Sequence, residues 1–206
     1  RDNETMLDKV QADRQAKLEQ VRQLGVDPYG RRYDTAQRIA AVLNEEVVKR
    51  ADVLIDMHCG DGNEALIPYT YWMISGEKTF DAKTRDLALA FGLSPIIIDE
   101  SRTKVLAESK YLGNTAILQG KPAITTEAGY LGQSDEESIA RNVRGVLSVM
   151  RHLDMIAGAP EPASNPVWID KYEVVYSKRN GLFAPRVGMG TYVKQGQVVG
   201  TITDYL

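Results

Sequence analysis

Apolar residues along the first part of the chain recur at helical spacing. Leu7, Val10, Leu18, Val21 and Leu24 fall on one face, with Lys, Arg, Asp, Glu and Gln between them, and this predicts a helix over 5–24. Gly25 supplies a C-terminal stop, and Pro28 follows it. Thr35 is placed to cap a second helix that runs through Ile39, Val42, Leu43, Val47 and Val48 to about Arg50. The period then changes. Residues 52–57 read as a strand, and "ALIPYTYW" (65–72) is rich in β formers, although Pro68 argues for an edge or a loop. A helix over 80–91, closed by Gly92, is followed by the short apolar strand "PIIID" (95–99). "KPAITTEAG" (121–129) is another strand, ending at Glu127. Ser134 or Asp135 then caps a long helix whose expected inner face is Ile139, Val143, Val146, Leu147, Met150 and Leu153.

Strands alternating with helices predict an α/β body with a mixed, largely parallel sheet flanked by helices. After the Pro/Ala/Ser stretch "GAPEPASNP" (158–166) the pattern becomes β-type, with an Asn180-Gly181 hairpin signal and glycines punctuating short strands. Three segments are therefore expected: an N-terminal helix and loop over 1–34, an α/β domain over 35–160 and a small β-rich C-terminal domain over 161–206.

Composition narrows the classes of function. Apolar residues make up 43% of the 206 and charged residues 26%, ordinary for a globular protein. The net charge of −3 gives no global pull toward nucleic acid or membrane, and no apolar run approaches the roughly 20 residues of a membrane span. The single cysteine excludes an internal disulfide and fits a reducing compartment. The opening Arg1-Asp2-Asn3-Glu4 has no signal-peptide character, so a cytoplasmic protein is the expectation.

The densest chemistry lies in "ADVLIDMHCGDGNEALIPY" (51–69), where a strand ends in Asp56, His58, Cys59, Asp61 and Glu64. In open α/β sheets ligands bind beyond the carboxyl ends of the strands. His58 stands at one such end and Glu127 at another, so two close parallel strands would bring both to one edge. Asp56 is two residues from His58, shares its strand face and is placed to orient the imidazole. Imidazole is a common zinc ligand, and a carboxylate such as Glu127 can take a proton from metal-bound water. A lone strand-end histidine is also a common structural hydrogen-bonder. Cys59 reads as a small buried residue, because no second histidine is placed to activate it, and His152 falls on the solvated side of its helix. The "RTK" run (102–104) has the charge to bind an anion, yet such loop residues are usually solvated.

Three blocks carry a resemblance: "VLNEEVVKRADVLIDMHCGDGNEALIPYTYW", "KYLGNTAILQGKPAITTEAGYLG" and "GLFAPRVGMGTYVKQGQVVGTITDYL". Over about residues 36–206 the chain resembles the succinylglutamate desuccinylase/aspartoacylase family. The resemblance implies a carboxypeptidase-like α/β domain with a β-rich C-terminal domain. It also implies a zinc-dependent hydrolase acting on the amide, or in some members an ester, of N-acyl amino acid-like small molecules. His58 then matches a zinc ligand and Glu127 the glutamate that activates the water. The family takes its first two ligands from an H-x-x-E motif upstream of this histidine. No histidine precedes His58 here, and the family's substrate-clamping R-N-x-x-R is absent. Cys59, Asp61 and Glu64 are the candidate substitutes in a site of one Zn²⁺ per chain.

Two weaker resemblances touch the ends. Residues 6–34, through "RQAKLEQVRQLGVDPYGRRYD", are similar to the N-terminal helix of class II lysyl-tRNA synthetases, without their catalytic motifs. The glycine-spaced tail is similar to half of a lipoyl or biotinyl carrier barrel, but Lys194 is not at the usual hairpin tip. The competing expectation is a catalytically incomplete family remnant that serves as a binding or assembly scaffold. A body lacking its first strands would expose a sheet edge, which leaves three outcomes open: cover by the first helix, a homo-oligomer, or poor solubility. A nucleic-acid partner is disfavoured by the acidic balance, and no membrane partner is expected.

Overall fold

The computed structural model describes residues 6–25 and 39–204. The chain divides after Ala41. In the first unit the expected helix is present as α1 (Met6–Gln23). Thr35, the expected cap of the second helix, lies outside the described residues. That helix, α2 (Ile39–Glu46), ends earlier than its period predicts, because the chain breaks at Val47 into a 3-10 turn, Val48–Arg50. The turn drops Val48 into the core, fully buried.

The second unit is built on a five-stranded sheet. Its strands are β1 (Leu54–His58), β2 (Tyr69–Met73), β3 (Ile96–Asp99), β4 (Ala123–Glu127) and β5 (Trp168–Ile169), in the order β1-β4-β2-β3-β5. Three of its four pairings are parallel; only β2 with β4 is antiparallel. The mixed, largely parallel sheet is thus as expected. Of the two places open to Pro68, an edge or a loop, it takes the loop: it stands just ahead of a strand that lies between β4 and β3, so its missing N–H falls outside the ladder. One position differs. The strand in "VWIDKYEVVY" pairs with β3 in the main sheet and not with the β-type tail.

Strand alternation sorts the core onto two faces. Ile55, Trp72, Ile96 and Ile124 pack against the helices α3 (Lys78–Phe91) and α5 (Glu136–His152). Leu54, Met73 and Ala123 face the other way, under Val48 and the short helix α4 (Leu112–Leu118). Helix α3 begins where the Glu77 carboxylate accepts from the backbone N–H of Thr79 and Phe80, at 2.8 and 2.6 Å, and it ends at Gly92 in the left-handed conformation (φ +87°).

Helix α5 is capped by Asp135, one of the two expected caps, but only part of its expected inner face is turned inward. The residues turned inward are Ser138, Gly145, Ser148 and Val149, with Val146 and Leu153 partly packed, whereas Ile139 and Val143 are each 52% exposed. Close approach to α3 is the reason. A Cβ on Gly145 would lie 2.6 Å from the Phe91 ring, and Ser148 Oγ donates to the Ala90 carbonyl at 2.5 Å. Small residues let the helices touch, so the more apolar stripe is turned away.

The tail forms a second, two-stranded antiparallel sheet, β6 (Leu182–Pro185) with β7 (Gly200–Thr203). The Asn180-Gly181 signal does not make a tight hairpin: no strand precedes it closely among the described residues, and the partner of β6 comes from the far end of the tail.

Candidate active site

Parallel pairing of β1 with β4 sets Asp56 beside Thr125 and His58 beside Glu127. Antiparallel pairing of β4 with β2 adds Tyr71 to the first row and Tyr69 to the second. All six belong to the face that begins, one row earlier, with the buried Leu54 and Ala123. That face therefore grades from an apolar floor under α4 to a polar rim at the strand ends. Asp56, His58, Thr125 and Glu127 line one cavity of about 240 Å³ with Tyr71, Met73, Arg102 and Tyr111. A larger, open depression of about 750 Å³ beside β3 and β5 contains no histidine or cysteine.

His58 and Glu127 are each the last residue of their strand. The chain then turns away, and the two following loops are knitted together. Gly60 N donates to the Gly129 carbonyl at 3.1 Å, Gly132 N to Gly60 at 2.9 Å and Leu131 N to Glu64 at 2.9 Å. Gly129 is required here by its φ of +118° and because a Cβ would come within 3.2 Å of the Cys59 side chain. Cys59 itself is exposed, contrary to the buried position expected, because the chain has already left the strand.

The imidazole Nε2 of His58 lies 3.1 Å from Asp56 Oδ1. Asp56 is 16% exposed at its side chain and His58 50%, so a sheltered carboxylate faces a ring open to the cavity. Burial pushes the Glu127 carboxyl above its ordinary value; His58 opposes this, and Glu64, Asp56 and Asp61 reinforce it. Burial likewise raises the hydroxyls of Tyr69 and Tyr71, whose oxygens are 3.3 Å apart, so both stay neutral donors. Such a constellation can orient an imidazole and hold a proton on a carboxyl.

Cys59, Asp61 and Glu64 do not join His58 in lining the cavity. Glu64 turns its carboxylate to the Asp61 N–H at 3.3 Å. Among the described residues no group of three or more His, Cys, Asp or Glu side chains is placed to hold a metal ion. A zinc ion takes about three protein ligands plus water. The donors brought together here therefore do not fit a complete zinc site by themselves.

Residues 19–153 match the model of the succinylglutamate desuccinylase/aspartoacylase catalytic domain. The chain belongs to this family. The match starts well ahead of residue 36 and takes in part of the segment that resembles lysyl-tRNA synthetase. Among curated proteins, the N-alpha-acetyl-L-2,4-diaminobutyric acid deacetylase of Halomonas elongata is 27% identical over an alignment of 183 residues that covers 86% of this chain and 51% of that protein. Two solved structures share the family fold. The product-bound ectoine utilization protein EutE (DoeB) from Ruegeria pomeroyi superposes with a TM-score of 0.70 at 23% identity, over 84% of this chain and 53% of its own. The succinylglutamate desuccinylase/aspartoacylase from Rhodobacter sphaeroides does so with a TM-score of 0.68 at 24% identity, over 80% and 50%. The chain thus spans about half the length of these relatives. No helix among the described residues is long and apolar enough to cross a membrane.

Tyr71, Tyr111 and Thr125 were not legible as cavity residues, since nothing local marks them. Arg102 carried a signal, its charge in a loop just after a strand end, but not its destination.

Proposed function

We propose that this family member contributes the proton-handling side of an amide- or ester-hydrolysing site for N-acyl amino acid-like small molecules. His58 serves as one metal-ligating imidazole, Asp56 positions it, and Glu127 carries the proton. The observation that bears the proposal is the register pair His58–Glu127, with Asp56 on the same face of one cavity. Hydrolysis requires water to lose a proton as it adds to the carbonyl and the leaving amine to gain one. A carboxyl raised above its ordinary value accepts the first and returns the second. The deacetylase relative from Halomonas elongata makes an N-acetylated diamino acid the first substrate class to try.

Zn²⁺, one per complete site, is the cofactor the family implies. Completion needs donors beyond those that the described residues bring together. That shortfall supports a second reading, a family-shaped scaffold that binds without turnover.

Elemental analysis of the purified protein and of His58→Ala, followed by assay of N-acetyl amino acids with wild type and Glu127→Gln, separates the two. About one zinc per chain, lost in His58→Ala, together with hydrolysis that Glu127→Gln abolishes, is the expected result. Absence of both zinc and hydrolysis in the wild type would overturn it in favour of the scaffold.

A further inference from the structure

We infer that Arg102 selects substrates bearing an anionic group, a carboxylate first, in the His58–Glu127 cavity. This assignment rests on the reading of that cavity as a substrate site. The loop that follows β3 carries this arginine three residues beyond Asp99, the last residue of the strand.

Arg102 is held on several sides before any ligand arrives. Asp99, the buried last residue of β3, accepts from Arg102 Nε at 2.6 Å. The same aspartate accepts from Ser101 N at 3.0 Å and Ser101 Oγ at 2.6 Å, which fixes the loop that carries the arginine. The guanidinium carbon sits 3.8 Å from the centroid of the Tyr111 ring and 5.6 Å from that of Tyr71. The Arg102 side chain is only 19% exposed.

The ion pair with Asp99 occupies Nε, and no second carboxylate pairs with Arg102 among the described residues. Its two Nη groups stand outside that ion pair, with the Tyr111 side chain as a further hydrogen-bond partner of the guanidinium, and a guanidinium offers a pair of N–H groups in the geometry of a carboxylate. Arg102 lines the cavity together with Asp56, His58 and Glu127. The Asp56 carboxylate there repels an anionic ligand, so its negative group is driven to the arginine and its acyl carbonyl is left toward Glu127. Because the guanidinium is already stacked and partly desolvated, little ordering remains to be done on binding. One charge-assisted contact of this kind makes a difference of about ten- to a hundredfold in affinity.

The test is titration calorimetry of the full chain with N-acetylglycine and with its neutral analogue N-acetylglycinamide. Wild type is expected to bind the charged probe at least about tenfold more tightly. Arg102→Gln should lose that preference through weaker binding of N-acetylglycine, with N-acetylglycinamide unchanged. Arg102→Lys, which keeps the charge and can still pair with Asp99, should retain part of it and serves if the glutamine variant fails to fold. Equal binding of the two probes by wild type, binding of neither, or a preference that survives Arg102→Gln would each overturn the assignment. The readout needs no zinc and no turnover. Charge-selective binding of N-acetylglycine leaves Arg102 its role whether or not the probe is hydrolysed; hydrolysis of both probes at equal kcat/KM would overturn the assignment and leave the hydrolase reading standing.

Discussion

His58 closes β1 at the level at which Glu127 closes β4, so two residues far apart in the chain become cross-strand neighbours on one sheet face. Neither side chain reaches the other's position by loop flexibility. The parallel ladder beneath them sets their separation, and the knitted loops beyond hold the strand ends together.

A pair held in this way should act as a unit. His58→Ala and Glu127→Gln are each expected to lower kcat/KM on an N-acetyl amino acid by at least about a hundredfold. The double variant should lose no more than about tenfold beyond the worse single one. Additive losses in the double-mutant cycle would mean that the two residues serve separate steps.

Gly129 keeps the loops after β1 and β4 in contact. Gly129→Ala forces a side chain into a φ of +118° and against Cys59, the neighbour of His58. The cost is expected to be about 1–3 kcal/mol in urea unfolding. Activity should fall further than this loss of folded protein accounts for, which a comparison at equal folded fraction will show.

Asp99 links stability to pH. Its burial pushes the carboxyl up, but hydrogen bonds from Ser101 and Arg102 outweigh that and hold it below its ordinary value of 3.8. A carboxyl depressed on folding contributes stability above its unfolded value, and the contribution is lost as pH falls through the folded one. Asp99→Asn is therefore expected to cost about 1–3 kcal/mol near neutrality. The gap between wild type and variant should close as pH drops below about 4. Denaturant melts across that range give the comparison, and a gap that widens in acid would reverse the sign.

Gly145 tests the contact between α3 and α5. Alanine gains about 1 kcal/mol in helix propensity, whereas overpacking a filled site costs about 1–3 kcal/mol. With the added methyl 2.6 Å from the Phe91 ring, Gly145→Ala should lower the melting temperature. Adding Phe91→Leu should restore part of it. A melting temperature that rises in the single variant would show that the helices separate freely.

Local signals in the sequence determined much of the frame. Helix ends follow from residues a few positions away, as at Gly92 and Asp135. Strand ends follow from the abrupt change of polarity at His58 and Glu127. A two-residue period was enough to put Asp56 on the face of His58. What only the tertiary structure decided depends on partners that the local pattern does not name. An apolar stripe on α5 cannot reveal that α3 approaches closely enough to require Gly145 and Ser148, so Ile139 and Val143 end up exposed. A proline before a strand does not say whether that strand finds neighbours on both sides, as β2 does. A charged loop does not announce that Asp99 and Tyr111 will carry Arg102 into the cavity. Propensity and polarity act over one or two turns of chain. Sheet order, helix contact and the filling of a cavity are set by whichever surfaces meet, and residues distant in sequence supply them.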